Sequence, residues 1–274
     1  MSSRRTSLLA TLVLLAMTAS WGSTFFLIKD LLDRVPTLDF LAVRFAIAGA
    51  VMALVAPRAL RRLSAASRRR AVVLGGVYGV AQILQTAGLA AVLLRTRITA
   101  LAWAAVALAA TGLGVLTLDG LSVGYGEAIT LVAAVLYALH IVALGAWASA
   151  REALGMSIVQ LLVIAVICLV ATAPDGLVLP SGGRDWLSVV YMALVAGALA
   201  LIGQTWAQAH LPPTRSAIVM SMEPVFAALF AVLLGGELLT GRMVTGGLLV
   251  LAAMLLVEAA PRRRVEGEVQ HLAV

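Results

Sequence analysis

The sequence predicts an all-α fold, a polytopic bundle of membrane-spanning helices built on an internal repeat. Three observations predict it. Of 274 residues, 62% are hydrophobic and only 12% charged, with a mean hydropathy of +1.04; soluble domains run near a quarter charged and about half apolar. The apolar residues fall into runs of about 20, the length of a helix that crosses a bilayer. The arginines sit in short clusters between those runs, as they do in cytoplasmic loops. The formal charge of +7 is therefore loop charge, and a nucleic-acid partner is not expected. The single cysteine, Cys168, lies inside "LLVIAVICLVA", so no intramolecular disulfide can form.

Nine runs follow in order: 8–28, 38–56, 71–94, 98–118, 126–148, 155–173, 186–209, 214–235 and 243–260. The first follows Arg4 and Arg5 and invites reading as a cleavable signal. It continues through "WGSTFFLI" to Ile28, which makes it long enough to span. With so little charge between runs, helices are the way to satisfy the backbone in lipid.

Loop charge then sets direction. Arg4 and Arg5 start inside, and so does the dense basic loop of Arg58, Arg61, Arg62, Arg68, Arg69 and Arg70. Two spans separate them, which is consistent. Arg95 and Arg97 favour the same side, yet only one run, 71–94, intervenes. If all nine runs simply cross, Arg151, Arg215 and Arg262 to Arg264 all fall outside. The charges ask for one more crossing between residues 70 and 95.

An internal repeat points to the same place. "AVLLGGELLTGRMVTGGLLVLAAMLL" (231–256) resembles "AVLLRTRITALAWAAVALAATGLGVL" (91–116), and Gln204-Thr205 mirrors Gln85-Thr86. Thr205 to Ala231 is 26 positions and Thr86 to Ala91 is 5, so the first half is short by about 21 residues, one transmembrane helix.

The stretches "WGSTFFLIKDLL", "LDFLAVRFAIAGAVM" and "HLPPTRSAIVMSMEPVFAALFAVLLGGELLTGRMVTGGLLVLAAML" resemble the first, second and last two helices of EamA-type proteins in the drug/metabolite transporter superfamily. The resemblance implies two inverted five-helix repeats, both termini in the cytoplasm and a substrate path between the halves. Here it implies a first repeat over 7–120, incomplete near residue 90, a second over 121–260, and a cytoplasmic tail over 261–274. The first-half deficit is a departure from the family pattern and leaves transport by this chain open.

Glu223 leads the candidate path residues. It lies roughly 14 Å along its run, near the bilayer midplane, where an acid costs a few kcal/mol and is expected to face a cavity or partner. Pro224 removes an amide donor and bends the helix. Glu223 lines a polar path, couples protons, or pairs structurally with Arg44. Arg44, about six residues into its span, holds an anionic group, pairs with Glu223, or snorkels to the interface. Gln82 and Gln85, and Gln204 and Gln208 in the repeat, either contact a polar substrate or bond between helices. Tyr137 and His140 are three residues apart on one face. They and Trp21 complete the set, with interfacial anchoring as the alternative for the aromatics. Gly75 and Gly79 form a small-residue packing pair.

No Walker A loop, HExxH, GxSxG or Cys/His ligand cluster occurs. No enzyme activity, cofactor or metal is therefore expected. The reading is a secondary transporter in the bacterial inner membrane, multi-pass, exporting small polar metabolites such as amino acids, or drugs. Its expected partners are a small-molecule substrate and the lipid bilayer, with a homodimer left open. The alternative is a non-transporting or defective paralogue lacking one helix, acting if at all through another membrane protein.

Overall fold

The apolar runs become helices, and they break where serine, glycine or proline interrupts them. The structure, a computed structural model, describes residues 3–31, 34–85, 125–174 and 176–259, and every regular element among these is helical. The first run gives α1 (Ser3–Gly22) and α2 (Thr24–Leu31). At their junction the Ser23 and Thr24 hydroxyls donate to the carbonyls of Ser20 and Trp21, each at 2.7 Å, local bonds that compete with a continuous helix. α3 (Thr37–Val55) starts directly after the extended Pro36 and has Asp39 in its first turn, where a carboxylate suits the helix dipole. The short α4 (Pro57–Arg61) and the start of α5 (Ala65–Gln85) carry the basic cluster.

Next come α6 (Tyr125–Trp147) and α7 (Ala153–Thr172). α8 (Gly183–Ala193) continues through a π-helical turn, Leu194–Leu199, into α9 (Ala200–Gln208). The run at 214–235 divides into α10 (Pro213–Met220) and α11 (Glu223–Leu233), and α12 (Gly241–Ala259) follows. Among the described residues, four segments are long and apolar enough to cross a membrane: Thr37–Val55, Ala153–Thr172, Gly183–Gln208 and Pro213–Leu233. Val135–Trp147 and Met243–Leu256 are shorter apolar helices. The run 98–118, the end of 71–94, the first-repeat deficit near residue 90 and the tail at 261–274 lie outside the described residues.

The described residues form two compact units. One comprises 27–85 and 125–209, the other 3–26 and 210–259, so each takes helices from both sides of residue 120. In the first unit α3, α7 and α8 share a core around Phe40, Phe45, Leu161, Ile164 and Met192, all fully buried. Glycines let the helices approach. A Cβ on Gly75 would lie 2.9 Å from the Gln160 Cα, and one on Gly79 would lie 3.1 Å from the Ile167 side chain. The expected packing role of this pair is what the structure shows between α5 and α7.

Polar contacts fix the ends of this unit. Arg34 grips Asp185 in the first turn of α8 through two bonds, of 2.7 and 3.2 Å. The Val178 amide donates to Asp39 at 3.2 Å. At the arginine-bearing end, Glu152 accepts the Ser67 hydroxyl at 2.6 Å and the Ser64 amide at 3.1 Å. The outer faces remain apolar: Val166, Val170, Leu187 and Leu54 are all more than half exposed. Such a surface suits lipid and would be a liability in water.

In the second unit α1 packs on α10 and α11. Gly22 makes this possible, since a Cβ there would come within 2.6 Å of the Phe226 Cβ. Ile218 of α10 rests against Met254 and Leu256 of α12. Between α11 and α12 the chain reverses at Gly236, whose φ of +71° is one that glycine adopts at no steric cost.

Candidate functional site: a buried polar seam in one unit, a broken helix in the other

Within the 27–209 unit, four helices place polar side chains along one seam. Tyr137 on α6 donates its hydroxyl to Gln82 Oε1 on α5 at 2.7 Å. Gln82 Nε2 in turn lies 3.5 Å from the Tyr78 hydroxyl, a long contact. The Tyr78 ring stands edge-on to Tyr137 at 5.4 Å and stacks on the His140 imidazole at 4.7 Å. His140 Nε2 lies 2.8 Å from Gln160 Oε1 on α7. One turn away the Ser157 hydroxyl meets the Thr205 hydroxyl of α9 at 2.9 Å. Gln204 and Gln208, the flanking amides on α9, are 1% exposed.

These bonds answer a general requirement. Helices this apolar gain little from placing polar atoms inside unless the atoms find partners. Most of the seam is satisfied. His140 Nδ1 and Gln204 Oε1 are buried and accept no hydrogen bond.

Arg44 lies in the same unit, on α3, 5% exposed. Its guanidinium donates to the carbonyls of Met192 at 3.0 Å and Ala196 at 3.3 Å, and it lies over the Phe45 ring at 5.1 Å. The π turn belongs to this contact. A π turn interrupts the usual helical bonding pattern and often marks a functional position. Gly197 within it keeps the Met192 carbonyl clear, for a Cβ there would lie 3.0 Å from the oxygen that Arg44 reaches. Arg44 is thus turned inward onto carbonyls, and the snorkelling alternative does not describe it.

In the other unit, α10 ends at Met220 and a turn over Ser221 and Met222 precedes α11. Ser221 Oγ closes that turn onto the Ile218 carbonyl at 2.7 Å. Glu223 is the first residue of α11 and Pro224 sits in its first turn, where a missing amide costs nothing. Both are partly buried. The expected bend is therefore a complete break, and the acid stands at the positive end of the restarted helix. Trp21 lies at the end of α1, partly buried.

The seam gathers Gln82, Tyr137 and His140, with Gln204 and Gln208 on the helix bonded to it through Thr205. Arg44 sits apart on the π turn. Gln85 ends the described part of α5, and its side chain lies outside the described residues. Ser157 and Gln160 are the seam members that the sequence did not nominate, whereas Tyr78 is legible as the i,i+4 neighbour of Gln82 on one helix face. The signal for Gln160 is an amide in the apolar run 155–173, which needs a partner wherever it points.

Fold and site together define a polytopic helical membrane protein with polar groups held inside its helices. Residues 124–259 match the family described as the EamA-like transporter family. Through this second half the chain belongs to that family of membrane transporters. A solved structure described as "Crystal structure of protein" is similar over 90% of this chain and 96% of its own, with 18% identity and a TM-score of 0.70. At that identity the likeness concerns the fold alone. No curated protein matches.

Proposed function

We propose that this chain is a secondary transporter that exports small polar metabolites, such as amino acids, or drugs across a bacterial inner membrane. Glu223 carries the reading. It is an acid at the break of Pro213–Leu233, a segment otherwise long and apolar enough to span. An acid kept at that depth pays an insertion cost that packing alone does not repay. The seam and Arg44 are further polar groups kept among apolar helices, in the 27–209 unit, and the family supplies the class of activity.

The test is transport of a labelled amino-acid panel into everted vesicles, with the native chain and with Glu223→Gln. The expected result is accumulation above empty vesicles that falls at least tenfold in the variant. Signal equal to empty vesicles across the panel overturns the reading as stated for amino acids. The second reading, a chain that does not transport alone, is favoured by the 21-residue difference in repeat spacing. It predicts that result, with accumulation appearing only when another membrane protein is co-expressed.

A further inference from the structure

The seam contains one group whose proton position the geometry fixes. Gln160 Nε2 donates to the Met156 carbonyl at 3.3 Å, so its amide oxygen is the atom that faces His140 Nε2 at 2.8 Å. Reversing the amide would set two oxygens against each other. An amide oxygen only accepts, so His140 Nε2 carries the hydrogen. In the neutral ring Nδ1 is then a bare lone pair. That nitrogen is fully buried and accepts no bond.

A second acceptor in the same condition stands nearby in the fold. Gln204 Oε1 on α9 is buried and unpartnered, and the adjacent Thr205 is bonded to Ser157, one turn of α7 from Gln160. The Tyr78 ring stacks on the imidazole, and Tyr137 stands edge-on to Tyr78. Native proteins rarely leave such acceptors without a donor. Two bare lone pairs suit a cation bearing N–H groups and repel a carboxylate.

We infer that His140 Nδ1 and Gln204 Oε1 form a buried receptor for an amine head group, so the interior of this unit selects ammonium-bearing solutes over their carboxylate counterparts. The inference rests on the transport reading only for its biological use. Its test does not depend on transport.

The protein has three histidines, which makes nitrogen NMR of the histidine-labelled chain tractable. His140 is assigned by its loss in His140→Asn. Should that variant not fold, replacing His210 and His271 isolates it instead. The expected spectrum shows Nε2 protonated and Nδ1 bare, with the Nδ1 resonance shifting saturably on titration with n-butylammonium. The same shift should need at least tenfold more n-butyrate or 1-butanol. A proton on Nδ1, no saturable shift, or equal response to all three probes overturns the inference. A shift without vesicle transport leaves it standing and removes the transport reading. Transport without a shift does the reverse.

Discussion

Hydrogen bonds inside a bundle this apolar have few alternatives, so single atoms carry measurable weight. The Tyr137 hydroxyl is the donor to Gln82 Oε1 at 2.7 Å. Tyr137→Phe removes it and changes little volume. Interhelical bonds of this kind average about 0.6 kcal/mol in membrane proteins and reach about 1.7. The expected outcome is a destabilisation in that range, read by denaturation of the purified protein in detergent, with the helical content of the fold retained. Glu152 offers a different test, because it lies outside the spans. The Ser67 hydroxyl, then the Ser64 amide, holds its carboxyl below the usual value. A lowered folded value means a contribution fully present above the unfolded pKa, about 4.3. That contribution is lost as pH falls through the folded value. Glu152→Gln should melt below the native protein at pH 7, and the two should converge as the pH drops under 4.3. The group is well solvated, so the gap is small; melting points over pH 3 to 8 measure it.

Helices meet here where side chains are absent. A Cβ on Gly75 would press on the Gln160 backbone at 2.9 Å, and backbone cannot rotate away. Gly75→Leu should therefore force α5 from α7 and cost about 1–3 kcal/mol, the usual range for overpacking. Because Gln160 orients His140, the same change should alter the His140 nitrogen spectrum, which a purely remote destabilisation would leave alone. Gly76, with open space before it, is the control: Gly76→Leu should do neither. The pairing of Gly75 with Gly79 was legible in the sequence because small residues four apart share a helix face. Apolar run length likewise located α3, α6, α7 and α12 to within a few residues. What the run lengths could not show were interruptions. The breaks at Ser23 and at Ser221–Met222 coincide with hydroxyls bonding local carbonyls, and the π turn at 194–199 with carbonyls turned to Arg44. Hydropathy registers neither. The seam was half legible for the same kind of reason. Gln82, Tyr137 and His140 are conspicuous as polar residues in apolar runs, and Tyr78 shares the Gln82 face at i,i+4, whereas Ser157 and Gln160 acquire meaning only from what faces them.

Across the whole chain, the arginine pattern and the repeat spacing make one demand: residues 70 and 95 belong on the same side of the membrane. The basic cluster ends at Arg70, early in α5, and α5 continues at least to Gln85. The helix from Arg70 to Gln85 rises only about 22 Å, short of the hydrocarbon core of about 30 Å. Helix geometry therefore leaves the crossing incomplete at residue 85, while Arg95 and Arg97 favour a return. Charge is expected to decide the outcome, because positive loop residues within about 15 residues of a span dominate orientation. Cys168→Ser gives a cysteine-free chain, into which single cysteines go at Ala66, exposed beside the arginines, and at Thr96. Treatment of intact cells with an impermeant thiol reagent should label neither, and opening the membrane should label both. The halves then keep opposite orientations, as an inverted-repeat transporter needs. Labelling of the Thr96 position alone in intact cells would make the halves parallel, remove the symmetry on which alternating access depends, and leave the assembly-dependent reading of this chain as the one to pursue.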